Sequence, residues 1–170
     1  MFHRLYPSQD VNSIYDIDFE DFYSKGYRAV LFDIDNTLVT HGAPATEQVI
    51  AFFDRLHAVG FKTCLISNNK EPRVASFAGQ VESEYIYKAG KPSAEGYNKA
   101  MDICGTGKAG TLFVGDQLFT DIWGANRAGI YSILVKPIHP KEEIQIVLKR
   151  RLECFVLIFY RRYKKKNGKN

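Results

Sequence analysis

Four short polar clusters in this chain combine the residue types that move a phosphoryl group. Asp33-Ile34-Asp35-Asn36-Thr37 offers two carboxylates and a hydroxyl, and Ser67-Asn68-Asn69 a hydroxyl with two amides. Lys91-Pro92 adds an ammonium, and the stretch from Gly115-Asp116 to Asp121 adds two further carboxylates. Asp33, Asp116 and Asp121 are hard oxygen donors of the kind Mg²⁺ takes together with water and a substrate phosphate. Ser67 and the charge of Lys91 suit the remaining phosphoryl oxygens. An ionised Asp33 beside a metal can attack phosphorus. Asp35, with its side chain off the metal, can protonate the leaving alkoxide and then activate water.

Such groups need a scaffold that brings distant segments together. Tyr27–Ile34 is a short β-branched and aromatic run, as a buried strand should be. Pro44–Val59 carries apolar residues at helical spacing and is stopped by Gly60. Further strands are expected at Phe61–Ser67, Tyr85–Tyr87, Thr111–Val114 and Tyr131–Val135. Helices are expected at Glu71–Ala78, Ser93–Ile103 and Thr120–Ala128, the last closed by Gly129. Alternating strands and helices predict an α/β fold with a mainly parallel, five-stranded open sheet. In such sheets polar groups at the carboxyl ends of strands converge on one crevice, and each cluster follows an expected strand. Gly105-Thr106-Gly107-Lys108-Ala109-Gly110 has the glycine spacing of a nucleotide loop. It precedes a strand rather than following one, and reads as a helix-to-strand connection.

These four clusters, in this order, resemble the motifs of haloacid dehalogenase (HAD) superfamily phosphatases, over residues 27–136. The resemblance implies a Rossmann-like three-layer sandwich, Mg²⁺ and an aspartyl-phosphate intermediate. It implies Asp33 as nucleophile and Asp35 as acid/base. The phosphate-binding set is then the Ile34 backbone N–H, Thr37, Ser67, Asn68 and Lys91, and the metal group Asp33, Asp35, Asp116 and Asp121. Flanking residues are similar to the YqeG-like branch of subfamily IIIA. They include Leu5-x-Pro7, Val11-x-Ser13-Ile14, Tyr87-Lys88-Ala89-x-Lys91-Pro92 and Gly115-Asp116-Gln117-Leu118. That branch is related to phosphatidylglycerophosphate phosphatases.

Only 31 residues separate Asp35 from Ser67, and 23 separate Ser67 from Lys91. Neither gap holds a lid domain, so a capless, open cleft is expected. Such a cleft suits a substrate fixed on a bilayer or a lid lent by a second subunit, since small free metabolites need water excluded from the reaction.

The chain has 170 residues and a net charge of +4, split unevenly. Residues 141–170 carry ten basic and three acidic side chains, which leaves the body acidic. Three isolated cysteines, Cys64, Cys104 and Cys154, form no disulfide or zinc pattern and fit a reducing compartment. No stretch has the length of a signal peptide or a membrane span. We expect an N-terminal segment (1–26) packed on the core, a hydrolase domain (27–140) and a basic amphipathic helix (141–170). In that helix Ile144, Val147, Leu148, Leu152, Phe155, Ile158 and Phe159 share a face beside basic residues. Such helices bind anionic membrane surfaces. The expected enzyme is thus a Mg²⁺-dependent, cytoplasmic phosphomonoesterase, peripheral on the inner face of the membrane, acting on phosphatidylglycerophosphate. Two rivals are a phosphatase of a soluble nucleotide or sugar phosphate whose tail mediates homo-oligomerisation, and a non-enzymatic RNA or ribosome binder. The last reading ranks lowest.

Overall fold

The computed structural model describes residues 3–139 and 144–166. Its strands are β1 (Gln9–Val11), β2 (Ala29–Phe32), β3 (Lys62–Ile66), β4 (Glu84–Ile86), β5 (Thr111–Gly115) and β6 (Tyr131–Val135). Its helices are α1 (Phe19–Ser24), α2 (Glu47–Val59), α3 (Glu71–Gln80), α4 (Glu95–Cys104), α5 (Trp123–Ala128) and α6 (Ile144–Lys166). The sheet is open, with order β1-β6-β5-β2-β3-β4, and every pairing in it is parallel.

Alternation along the strands builds two cores. Val30 and Phe32 face α2 and α3, packing with Phe52, Phe53, Leu56, Val74 and Phe77. Leu31, between them, faces α4 and α5, with Phe113, Tyr97, Met101 and Ala125. The central strands are buried on both sides, hence their unbroken apolar runs. Local signals set the helix ends. The Thr46 side chain caps α2 at the Val49 N–H, and Gly60 closes that helix in the left-handed region at φ 113°.

The sheet has six strands, not the five expected. The extra strand, Gln9-Asp10-Val11, is short, polar and at an edge, so it shows no apolar run; pairing with β6 is what makes it a strand. The expected strand Tyr27–Ile34 is shorter, at Ala29–Phe32. A π-helical turn at Leu118–Ile122 precedes α5, where one helix was expected from Thr120. The Asp35–Ser67 gap holds a loop and α2, and the Ser67–Lys91 gap holds α3 and β4. No lid domain is inserted among the described residues.

The first residues of the expected helix, 141–143, lie outside the described residues, as do the side chains of Ile144, Val147 and Leu148. Helix α6 docks through Val156, Tyr160 and Glu153, which are buried, and the partly buried Leu157. Leu152, Phe155, Ile158 and Phe159, expected to share a face, are exposed.

Candidate active site

The chain leaves β2 toward β3 and β4 on one side, then returns across the sheet to β5 and β6 on the other. The reversal between β2 and β5 is the switch point at which ligand crevices open in such sheets. The register that pairs Phe32 with Val114 sets Asp33 and Asp116 just beyond adjacent strand ends. The Asp33 N–H donates to the Val114 carbonyl at 3.0 Å, continuing the ladder.

Lys91 reaches between two carboxylates. Its Nζ lies 2.6 Å from Asp33 Oδ1 and 2.7 Å from Asp121 Oδ1, and all three residues are buried. Thr37 Oγ1 sits 3.3 Å from Asp33 Oδ2 and 3.2 Å from Asp116 Oδ1, so its single proton serves one carboxylate at a time. Asp33, Asp116 and Asp121 each offer an oxygen within 4.8 Å of the others. Three buried carboxylates gathered around the Lys91 ammonium are costly to keep out of water unless positive charge offsets them. Hard oxygens in that arrangement fit a divalent ion such as Mg²⁺.

The same burial and crowding act on protons. Burial, with help from Asp121 and Asp35, pushes the Asp33 carboxyl up to about 7 against the opposing pull of Lys91. Burial alone would lower the Lys91 ammonium, but Asp121 and Asp33 outweigh it and raise it above its ordinary value. Lys91 therefore stays charged throughout the neutral range.

Other side chains hold this centre in place. Asn68 clamps the Lys91 backbone, accepting from its N–H at 2.9 Å and donating to its carbonyl at 3.2 Å. Tyr97 donates from its hydroxyl to the Asp121 carbonyl at 3.0 Å. The Gln117 N–H donates to Asp121 Oδ2 at 3.0 Å. Ser67 Oγ is buried and accepts from the Asn69 N–H at 3.2 Å. Lys88 is exposed, whereas Lys91 is enclosed.

Asp35 is turned elsewhere. After Ile34 the chain makes a tight turn, with Asn36 at φ 64°, which asparagine tolerates better than most residues. The Asp35 carboxylate then meets Asn69 Nδ2 at 2.5 Å, Arg73 Nη2 at 3.0 Å and the Gly42 N–H at 2.9 Å, with His41 Nδ1 4.0 Å away. Its side chain stands apart from the three clustered carboxylates. Of the expected site residues, Asp33, Thr37, Lys91, Asp116 and Asp121 thus share one contact network; Asn68 supports it from behind.

Sequence reading gave no role to Arg73 or Asn69. A signal for Arg73 existed: a cation in the first turn of a helix is unfavourable with the helix dipole, so it implies an anionic partner.

A family model of haloacid dehalogenase-like hydrolases matches residues 46–129, a span that holds Ser67, Lys91, Asp116 and Asp121. A Bacillus subtilis (strain 168) protein named "Probable phosphatase YqeG" is 34% identical over 89% of this chain and 88% of its own length. The chain belongs to the haloacid dehalogenase-like hydrolases. The Arabidopsis thaliana "Phosphatidylglycerophosphate phosphatase 1, chloroplastic/mitochondrial" is 27% identical over 89% of this chain, which spans 47% of that longer relative. Among solved structures, a HAD phosphatase from Thermococcus onnurineus superposes with a TM-score of 0.55 at 12% identity. That match covers 69% of this chain and 90% of the other. The cobalt-bound deoxy-D-mannose-octulosonate 8-phosphate phosphatase of Haemophilus influenzae gives 0.50 at 10% identity, covering 66% and 80%. At such identities the superpositions speak for the fold of this hydrolase alone.

Proposed function

We propose that this HAD phosphatase is a Mg²⁺-dependent phosphomonoesterase that works through an aspartyl-phosphate on Asp33 and acts on phosphatidylglycerophosphate at a membrane surface. The observation that carries the chemistry is the Lys91 ammonium held between Asp33 and Asp121, with Asp116 completing a buried acidic trio.

Asp33, Asp116 and Asp121 would hold the metal; Asp35 contributes no side-chain oxygen to that group. Bound there, Mg²⁺ offsets carboxylate charge and draws electron density from phosphoryl oxygens. Asp33 Oδ attacks phosphorus, a bond to Asp33 forms, and the ester P–O bond breaks. Asp35 gives its proton to the departing alkoxide. It then takes a proton from the water that attacks the aspartyl-phosphate, releasing inorganic phosphate and restoring Asp33. Lys91, Ser67, Thr37 and the Ile34 N–H bind phosphoryl oxygens. Asp35 must leave its contacts with Asn69 and Arg73 to serve the leaving group.

Three observations support a lipid substrate. The cleft has no inserted lid among the described residues. One relative is named for phosphatidylglycerophosphate. Helix α6 exposes Leu152, Phe155 and Ile158, with Phe155 63% exposed, beside Arg151, Arg161 and Arg162. This apolar and basic face lies opposite the docked one, so the helix can touch an anionic bilayer while still packed on the domain. No helix of the described residues is long and apolar enough to cross a membrane. The exposed apolar and basic face of α6 would hold the enzyme peripherally on the cytoplasmic surface of that membrane.

The test is phosphate release from vesicles of phosphatidylglycerophosphate and from a panel of soluble phosphate esters. Mg²⁺-dependent release from vesicles, abolished by Asp33→Asn, supports the proposal. Turnover of a nucleotide or sugar phosphate but not of vesicles overturns the lipid substrate and leaves the chemistry.

A further inference from the structure

The loop that carries Asp116 and Asp121 is finished by a residue far along the chain. After Asp116 the backbone enters the π-helical turn Leu118–Ile122, which continues into α5. The first N–H groups of such a run have no partner within it and need an acceptor. Gln117, in the capping position, makes no side-chain cap. The acceptor comes from α6. Glu153 Oε1 accepts from the Leu118 N–H at 2.9 Å and from the Phe119 N–H at 3.4 Å. Glu153 is only 6% exposed and Leu118 1%, so water cannot readily replace this contact.

We propose that Glu153 is a positioning residue for the metal-binding loop, and that α6 is thereby a working part of the active site as well as a surface for docking. The inference rests on reading the Asp33, Asp116 and Asp121 cluster as the metal site. Two carboxylates pin the loop between its acidic residues: Asp121 Oδ2 holds the Gln117 N–H, and Glu153 holds the next two N–H groups. The loop's entry from β5 is tight as well, because a Cβ on Gly115 would lie 2.7 Å from Asp121 Cβ. Removal of the Glu153 acceptor frees the middle of a segment whose two ends place Asp116 and Asp121. Mutation of groups that orient metal ligands from behind typically costs about 10–100-fold in metal affinity. Val156 and Leu157 press α6 onto Leu118, Ile122 and Leu134, and Tyr160 meets Tyr6 and Asp10 further along, which keeps Glu153 in reach.

The experiment compares wild type, Glu153→Gln and Glu153→Ala as full-length proteins. Calorimetric titration with Mg²⁺ alone is read beside kcat and KM on p-nitrophenyl phosphate and beside the melting temperature. Glutamine keeps an acceptor oxygen and should bind Mg²⁺ within about twofold of wild type. Alanine should weaken Mg²⁺ binding by about tenfold and lower kcat with little change in KM. Should the alanine protein not fold, Glu153→Asp takes its place, its carboxylate one methylene too short for both contacts. Wild-type Mg²⁺ affinity in the alanine or aspartate variant, with only the melting temperature lowered, overturns the proposal and leaves the phosphatase reading intact. Equal loss in the glutamine and alanine variants overturns it too, since the acceptor would not be what matters. No Mg²⁺ binding by wild type removes the metal reading, and this inference with it.

Discussion

The Lys91 ammonium stands 2.6 Å from Asp33 Oδ1 although the two residues are 58 positions apart. That contact joins the end of β2 to the loop after β4, and the same Nζ reaches Asp121 beyond β5. Lys91→Met removes the cation held between Asp33 and Asp121. At neutral pH the variant should lose about 3–5 kcal/mol of stability, as expected when one partner of a buried ion pair is deleted. Turnover should fall by at least about 100-fold through the lost charge at the phosphoryl group. Chemical denaturation and steady-state assays check both; a stable, active Lys91→Met enzyme would contradict the arrangement.

Metal and proton compete for Asp33. Its carboxyl is raised from 3.8 to about 7, chiefly by burial, so the metal-free folded state holds this proton more tightly than the unfolded chain does. The group therefore favours the fold below pH 3.8, and that contribution is lost as pH rises through about 7. Mg²⁺ binding must displace the proton below that point, so its affinity should fall by up to about tenfold per pH unit on the acid side. Melting curves with Mg²⁺ or chelator at pH 5, 6, 7 and 8, about one unit apart to span the titration, should show a Mg²⁺-induced rise that grows with pH. A rise that is flat or shrinks with pH would contradict the assignment.

Arg73 and Asn69 anchor Asp35. Asp35→Asn removes the proton donor itself, which should matter most where the leaving group needs that proton. The variant should cut turnover of alkyl phosphates at least about tenfold more than that of p-nitrophenyl phosphate, since general acid catalysis contributes about 10²–10⁴-fold. Equal losses on both substrates would mean that Asp35 acts on something other than proton transfer.

Gly115 touches the site through what it lacks. An added Cβ would sit 2.7–2.8 Å from Asp121 Cβ, Cγ and Oδ2. Gly115→Ala should push Asp121 off Lys91, destabilise the protein by about 1–3 kcal/mol and weaken Mg²⁺ binding. Thermal melts and metal titration measure the two effects separately. An alanine variant with unchanged metal affinity would show that Asp121 can give way without consequence.

Much of this was legible because the chemistry lies at strand ends. The β-branched runs of β2, β3 and β5 mark themselves, and the residues just past them are the polar clusters. Strand β1 escaped because Gln9-Asp10-Val11 carries no pattern; its backbone partners on β6 define it. Asp33 and Asp35 were read with different roles, but the partners of Asp35 were not legible: Asn69 and Arg73 lie 34 and 38 positions away, and no periodicity encodes that meeting. Helix α6 was readable as amphipathic, yet two faces compete for its apolar residues. The docked one is chosen by Glu153 and Tyr160, polar residues whose partners, Leu118 and Asp10, lie far away in the chain.

The central claim is that Asp33 takes the phosphoryl group. Its most direct test is acid quenching of the enzyme during turnover with Mg²⁺, followed by mass spectrometric mapping of phosphate on peptides. The account predicts phosphate on the peptide that contains Asp33, sensitive to hydroxylamine and absent from Asp33→Asn, which itself shows no turnover. Unlabelled Asp33 under conditions that trap acyl phosphates, or full turnover by Asp33→Asn, would contradict it.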